Sequence, residues 1–456
     1  MSFWTLDRVA EALGSGPSGG AELRGVSTDT RTIEPGSLFV ALRGERFDAH
    51  AFLADAVQAG AVALVVAADH DGMLPDVPTW RVPDTLVALA DLARFRRRAW
   101  TGRLVAVAGS NGKTTTKELI RAALATCHRV HATAGNLNNR IGVPLTLLAL
   151  EDDAAVAVIE AGTNEPGEVA ILRDICEPDV SVVTSIGEEH LEGLGDLEGV
   201  LREEIEIARG VRVLIAPFAH PEVAAAGAAL AGRVVVAGLD GGDLRAERWS
   251  IAPDGMGLIV VDGVEVRPPI RGEHNLRNCM LALAVAREFG VSMADAALGI
   301  AGMPLPGMRT SWERIGGLTL INDAYNANPP SVRAALALLR NADGGRQRVA
   351  VLGSMLELGE ASARLHEEMA ALALSSGFDV VAGVGLFAEP LRSAAAGGAE
   401  TDVGPEGPLV LVADDVESLW PRLRGSLAGD AVLLLKGSRG VRLERLVPHL
   451  ISWATH

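Results

Sequence analysis

The stretch richest in chemistry is Gly109-Ser-Asn-Gly-Lys-Thr-Thr115. Glycines at 109 and 112 free backbone N–H groups to turn inward onto phosphate oxygens. Lys113 adds a mobile positive charge, and Thr114 a hydroxyl suited to Mg²⁺. The spacing is shorter than the usual G-x-x-x-x-G-K-[ST], because Val107 stands where the first glycine belongs. A βα turn with a chance lysine is the plainer alternative. The flanks favour phosphate: Leu104 to Ala108 reads as a buried strand, and an amphipathic helix is predicted from about Thr114 to Cys127. A helix N-terminus behind a glycine loop attracts an anion. Gly109, Ser110, Asn111, Gly112, Lys113, Thr114 and Thr115 are therefore expected at a nucleotide triphosphate.

Other polar clusters follow predicted strands. Ala155 to Ile159 leads into Glu160-Ala-Gly-Thr-Asn164, where a carboxylate beside the phosphate-loop strand can hold Mg²⁺. Val180 to Ser185 leads into Ile186-Gly-Glu-Glu-His-Leu-Glu-Gly193, which brings His190 and several acids to the same rim. A lone histidine is often structural, but its place at a strand end favours function. Asn136-Leu-Asn-Asn139 forms a polar loop before a helix containing Pro144. In His274-Asn-Leu-Arg-Asn278 the first two residues read equally well as helix caps, while Asn278 can reach a base edge. Asn322-Asp-Ala-Tyr-Asn-Ala-Asn328 holds the only tyrosine, Tyr325, between the strand Thr319 to Ile321 and a helix from Val332 to Leu339. Strand Arg348 to Leu352 precedes Gly353-Ser-Met-Leu-Glu-Leu-Gly-Glu360, with His366 beyond, and Val432 to Leu435 precedes Lys436-Gly-Ser-Arg439. Near the N-terminus, Ser27, Thr28, Asp29 and Arg31 suit a diphosphate or sugar, although such a cluster alone is usually a turn.

The elements that position these groups alternate between Val/Leu-rich strands and Ala-rich helices, which predicts α/β. At 456 residues the chain exceeds one core. Three domains are expected: a small N-terminal α/β substrate domain (1–100), a central parallel-sheet domain of phosphate-loop type (101–306), and a C-terminal Rossmann-like α/β domain (307–456). Strands are expected at Leu38 to Leu42 and Ala61 to Ala67, a helix at Ala51 to Ala59, and further strands at Val234 to Gly238 and Gly257 to Val261. Arg94-Phe-Arg-Arg-Arg98 reads as a solvated helix face. A net charge of −17 argues against nucleic acid or an anionic membrane as partner. Cys127, Cys176 and Cys279 are widely spaced and read as buried small hydrophobes in a reducing compartment. No apolar run approaches the roughly 18 residues of a membrane span, and no basic, apolar leader precedes Asp7, so a cytoplasmic protein is expected.

Taken in order, these motifs resemble the Mur ligases, ATP-dependent amide-forming enzymes of peptidoglycan precursor synthesis, and the resemblance spans the whole chain. The matching residues are the Gly109 loop, Glu160 with Asn164, His190-Leu-Glu192, His274-Asn-x-x-Asn278, Arg309 and Lys436-Gly-Ser-Arg439. The branch that adds D-alanyl-D-alanine is the most similar, on Asn322 to Pro329, Met355-Leu-Glu-Leu-Gly-Glu360, and Thr28-Asp-x-Arg31 with Pro35-Gly-Ser-Leu-Phe-Val-Ala-Leu42. An Asp-Asn-Pro-Arg segment, the mark of the diaminopimelate-adding branch, is missing. The resemblance implies ATP and Mg²⁺, with UDP-N-acetylmuramoyl-tripeptide and D-Ala-D-Ala as substrates of a monomer. It implies catalytic roles for Lys113, His190, Glu204 and Arg309, and a metal held by Thr114, Glu160 and His190. Asn275, Asn278, Arg309 and Asp323 would contact the nucleotide. Ser27, Thr28, Asp29, Arg31, Asn136, Asn138, Asn139, Asn164, Tyr325, Asn328, Lys436, Ser438 and Arg439 would bind substrate.

Two departures stand out. Many members carry a CO₂-carbamylated lysine where this chain has Glu204, in Arg202-Glu-Glu-Ile-Glu206, so Glu204 is expected to supply that carboxylate directly, with Glu203 and Glu206 on a solvated face. Ser354 stands where relatives usually have Asp. The rival readings are a Mur-type ligase of other specificity and an ATP-binding regulator without ligase activity.

Overall fold

The computed structural model describes residues 3–44, 47–304, 311–342, 346–396 and 407–455. Its centre is a seven-stranded, all-parallel sheet in the order Leu244–Arg245, Val234–Gly238, Val213–Pro217, Val180–Val183, Arg103–Ala108, Val156–Glu160 and Val130–Ala132. The central strands are buried on both faces, as continuous Val/Ile/Ala runs in a parallel sheet must be. Helices Lys113–Leu124 and Glu273–Glu288 pack together on one side. Glu168–Cys176 packs into the other core. Pairing of Val107 with Glu160 and of Val183 with Ala108 ends three strands at one rim. There the loop after Arg103–Ala108, Glu160 and the loop after Val183 meet, at the carboxyl edge where α/β sheets bind ligands.

The N-terminal part holds a four-stranded parallel sheet, Val26–Ser27, Ser37–Val40, Ala61–Ala67 and Thr79–Val82, with a small antiparallel pair, Trp4–Thr5 and Glu22–Leu23. The single helix expected at Ala51 to Ala59 is a 3₁₀ turn, Ala49–Phe52, followed by helix Leu53–Gln58. The arginine run on helix Thr85–Ala99 is not a solvated face. Arg96 is buried and donates to Leu150 O at 2.6 Å, and Arg97 Nε donates to Cys176 O at 2.8 Å. These bonds fasten the N-terminal part to the central core, because guanidinium forks can satisfy carbonyls left at helix ends.

The C-terminal sheet has six strands in the order Ser311–Ile315, Leu318–Asp323, Val432–Lys436, Arg348–Gly353, Val380–Val384 and Leu409–Ala413. All pair in parallel except the antiparallel edge strand Ser311–Ile315, which sequence reading did not identify. The strands at Val234–Gly238 and Gly257–Val261 part company. The first joins the central sheet, and the second pairs with Arg248–Ile251 and Val264–Val266 in a separate antiparallel sheet. Its hairpin turns at Asp262 and Gly263, both at positive φ (50° and 73°), as a tight two-residue turn requires. Cys176 and Cys279 are buried, but Cys127 is exposed beyond the helix end at Leu124. Among the described residues no helix is long and apolar enough to cross a membrane.

Candidate active site

The loop between Ala108 and Lys113 is shaped by its two glycines. Gly109 has φ +117°, and a Cβ there would lie 2.4 Å from Thr184 Oγ1. Gly112 has φ +85°, and a Cβ would meet Asn278 Oδ1 at 2.7 Å. Both positions thus need glycine for conformation and for close approach. The chain then turns into helix Lys113–Leu124, whose free N–H groups face the loop.

Lys113 Nζ donates to Gly109 O at 2.5 Å and Ser110 O at 3.2 Å, and lies 3.3 Å from Glu189 Oε1. Burial opposes its charge, but Glu189, Glu204 and Glu160 outweigh burial and hold its pKa above the ordinary lysine value. Glu160 is 1% exposed. Its Oε1 accepts from Thr114 Oγ1 at 3.0 Å and from Asn138 Nδ2 at 2.9 Å. Its Oε2 has no hydrogen-bond partner and stands 3.8 Å from Lys117 Nζ. A buried carboxylate oxygen left open beside a threonine hydroxyl and a phosphate loop fits a hard divalent cation. Among the described residues no three His, Cys, Asp or Glu side chains cluster as a metal site.

His190 begins the short helix Leu191–Leu194 at φ +52° and lies 2.5 Å, through Nδ1, from Glu357 Oε2. Burial works against its charge, but Glu357 and Glu189 prevail and raise its pKa. Glu204 lies beneath the loop, fully buried, with Oε2 accepting the Gly109 N–H at 2.7 Å and Oε1 unpartnered. Burial, with Glu189 nearby, pushes its carboxyl up to about 7 against the pull of Lys113. Glu203 is not solvated. It is buried, accepts the N–H groups of Gly167 (2.7 Å) and Val169 (2.8 Å), and so serves the start of helix Glu168–Cys176. Glu206 is half-buried between Arg173 and Arg209.

The raised Glu204 value has a measurable consequence. The folded state holds its proton more tightly than the unfolded chain. The stability cost is therefore absent below the ordinary carboxylate range, grows as pH rises toward about 7, and is complete above it. Glu204→Gln keeps an acceptor for Gly109 N–H and removes that cost, at most about 3 kcal/mol. Its melting temperature relative to wild type, without nucleotide, is expected to be several degrees more favourable at pH 8 than at pH 5. A difference that does not change between the two pH values refutes the shift.

A cavity of about 680 Å³ opens at this rim. From the central sheet it is lined by Ser110, Asn111, Gly112, Lys113, Thr115, Asn136, Asn138, Asn139, Glu160, Asn164, His190, Asn275 and Asn278, all expected from sequence. Across it stand Asp323, Tyr325 and Lys436, carried by the ends of Leu318–Asp323 and Val432–Lys436. Lys436 Nζ donates to Asp323 Oδ2 at 2.7 Å and Asn326 O at 2.8 Å, and Arg439 lies over the Tyr325 ring at 5.5 Å. Gly109, Thr114 and Glu204 support this wall from behind through the bonds already described.

Other expected residues fall elsewhere. Asn328 caps helix Pro329–Asn341 with Ser331 and sits behind the cavity, its Nδ2 3.4 Å from Glu189 Oε2. Ser438 is buried and accepts the Leu356 N–H at 3.1 Å. Ser27, Thr28, Asp29 and Arg31 lie in the N-terminal sheet and its following turn, outside this cavity. There Arg31 pairs with Asp29 at 2.6 Å and hydrogen-bonds it down to a pKa of about 2. Arg309 lies outside the described residues. Ser354 is buried, its hydroxyl accepting from Leu386 N–H at 2.9 Å.

Sequence reading assigned no role to Lys117 or Glu189. Lys117 is fully buried, donating to Thr133 O at 2.7 Å between Glu118 (3.1 Å) and Glu160. Its signal was a lysine one helical turn beyond Lys113 on an apolar face. Glu189 binds Lys113, and its signal was only its adjacency to His190.

Residues 107–286 match the family described as "Mur ligase middle domain", residues 308–439 "Mur ligase, glutamate ligase domain", and residues 22–97 "Mur ligase family, catalytic domain". The chain is 36% identical over 440 residues to the UDP-N-acetylmuramoyl-tripeptide--D-alanyl-D-alanine ligase of Bacillus subtilis, covering 94% of this chain and 93% of that one. Its fold superposes on a crystal structure of MurF from Acinetobacter baumannii with a TM-score of 0.89 and 30% identity, covering 98% and 99% of the two chains. MurF ligase from Thermotoga maritima in complex with ADP gives a TM-score of 0.81 at 27% identity, covering 94% and 97%.

Proposed function

The chain belongs to the Mur ligase family, and from that premise we infer that it is the ATP-dependent ligase joining D-alanyl-D-alanine to UDP-N-acetylmuramoyl-tripeptide in peptidoglycan precursor synthesis. One observation carries the reading. Lys113, Glu160 and His190 on one rim face Asp323, Tyr325 and Lys436 across a single cavity. Two polar walls facing one cavity support a site for a triphosphate together with further substrates.

The reaction passes through an acyl phosphate. The tripeptide's terminal carboxylate attacks the γ-phosphate and ADP leaves. The amine of D-Ala-D-Ala then attacks the acyl carbon, loses a proton, and phosphate departs. Two anions must approach, so the protein's task is positioning and charge neutralisation. In our reading the Gly109–Thr115 loop cradles the β- and γ-phosphates and Lys113 offsets their charge. Thr114, Glu160 and His190 would hold Mg²⁺, which when bound neutralises phosphate oxygens. Asn275 and Asn278 reach the base and Asp323 the ribose, while Lys436 and Tyr325 meet substrate from the C-terminal side. Residues 1–100 bind the UDP end, 101–306 bind ATP, and 307–456 close over both and take the dipeptide. The protein is read as a cytoplasmic monomer with small-molecule partners and no nucleic acid.

The test is phosphate release from ATP with UDP-N-acetylmuramoyl-tripeptide, with and without D-Ala-D-Ala, in CO₂-depleted and bicarbonate-supplemented buffer. Release is expected to need both substrates and to ignore bicarbonate, because Glu204 supplies a carboxylate without carbamylation. Stimulation by bicarbonate keeps the ligase and discards that role for Glu204. ATP binding with no release under either condition points to a regulator.

A further inference from the structure

The ligase reading leaves Glu357 without a task, yet its surroundings are specific. Glu357 belongs to the C-terminal sheet, in the loop after strand Arg348–Gly353, while His190 belongs to the central sheet's rim. Glu357 Oε2 lies 2.5 Å from His190 Nδ1. The two loops are also joined through the backbone, since Glu192 N–H donates to Glu357 O at 3.2 Å. His190 (φ +52°) and Glu357 (φ +63°) are two of the five non-glycine residues in left-handed conformation among the described residues. Such backbone persists only where neighbours hold it, and here each is held by the other's loop. Gly359 makes the docking close: a Cβ there would lie 3.1 Å from Glu192 Cα. Asn328 and Arg333 add contacts to Glu189 (3.4 Å) and Glu188 (3.9 Å) on the same central loop.

The burial pattern gives these contacts a direction. The His190 side chain is 15% exposed and lines the cavity, whereas the Glu357 side chain is 56% exposed and stands outside it. The carboxylate therefore lies against Nδ1 from outside the cavity, at ion-pair distance but off the line of a hydrogen bond. A carboxylate this close to Nδ1 favours the proton on that nitrogen, which leaves Nε2 for the ligand side.

We propose that Glu357 is a positioning residue of the C-terminal domain: its carboxylate orients the His190 imidazole, so the working geometry of His190 exists only while the 353–360 loop is docked on residues 187–193. The inference rests on the ligase reading above, and it extends that reading by making the C-terminal domain an instrument of the phosphate-side chemistry.

Glu357→Ala is expected to lower kcat about tenfold or more, the usual size of an orienting partner's effect, with KM for ATP and for D-Ala-D-Ala within about twofold of wild type. Glu357→Gln, whose amide oxygen can stand at the same place beside Nδ1, is expected to recover most of that loss. In a His190→Asn background, Glu357→Ala is expected to cost nothing further, read with radiolabelled substrate. Mn²⁺ titrated by electron paramagnetic resonance with ADP present gives a readout apart from turnover: Glu357→Ala is expected to weaken binding about tenfold, and Glu357→Gln much less. Melting temperatures of both variants are expected to match wild type. Full activity with unchanged Mn²⁺ binding in Glu357→Ala overturns the proposal, as do equal losses in Ala and Gln or an undiminished cost in the His190→Asn background. Wild-type turnover in the same series tests the ligase reading separately, and the Mn²⁺ comparison stands whether or not wild type turns over.

Discussion

Lys113→Ala is expected to lower kcat/KM for ATP by about 10³-fold or more, measured as phosphate release with both substrates present. The ammonium lies among three carboxylates, Glu189, Glu204 and Glu160, and is tied to two backbone carbonyls of its own loop. In the ligase reading alanine removes two functions together: the charge that would offset the polyphosphate, and the cation that keeps two buried acids, Glu189 and Glu204, from facing each other alone. Lys113→Arg keeps the charge but is expected to recover little. Nζ is a compact group between Gly109 O and Ser110 O, and a planar guanidinium fork does not fit that space. Wild-type turnover in the arginine variant would show that charge alone suffices and would remove the geometric argument.

The second large effect is expected at Glu160. Glu160→Gln is expected to lower kcat about 10²-fold and to raise the half-saturating Mg²⁺ concentration at least about tenfold. Glutamine keeps an oxygen for Thr114 and Asn138 but places an amide NH₂ where Oε2 stands open, 3.8 Å from Lys117 Nζ. The cation then loses its carboxylate and Lys117 gains a donor as neighbour. Glu160→Ala is expected to match it in activity but to melt lower, because alanine also strands Thr114 and Asn138 and removes one of the two carboxylates beside buried Lys117. A Mg²⁺ titration of the two variants separates these effects. An unchanged Mg²⁺ requirement in Glu160→Gln excludes Glu160 as a ligand.

Much of the candidate site was legible because its residues sit at predictable places along the chain. Glu160 ends a strand of uninterrupted Val, Ala and Ile, and Lys113 opens a helix after two glycines, so local pattern located both. Residues whose roles depend on partners distant in the chain were misread or missed. Glu203 looked like one of several solvated acids, but folding sets it against the free N–H groups at the start of helix Glu168–Cys176. Asn328 carried the signature of a cleft residue, yet the two prolines after it make it a helix cap whose remaining N–H₂ turns toward Glu189. The arginines at 96 and 97 read as surface charge because nothing in their own helix reveals the carbonyls of Leu150 and Cys176 that receive them.

The sequence by itself determined the α/β class, the glycine loop between strand and helix, the strand-end placement of Glu160 and His190, and the family. Each of these is written in neighbouring residues: a period of burial, a glycine pair, a polar tip after an apolar run. Only the tertiary structure decided how the charges are shared. The rise of Glu204 to about 7, the placing of Lys113 among Glu189, Glu204 and Glu160, the Asp323–Lys436 pair and the close approach of Glu357 to His190 all join residues far apart in the chain. Their energies depend on desolvation and on separations of a few ångströms, which exist only after the sheets have packed and the two walls of the cavity face each other.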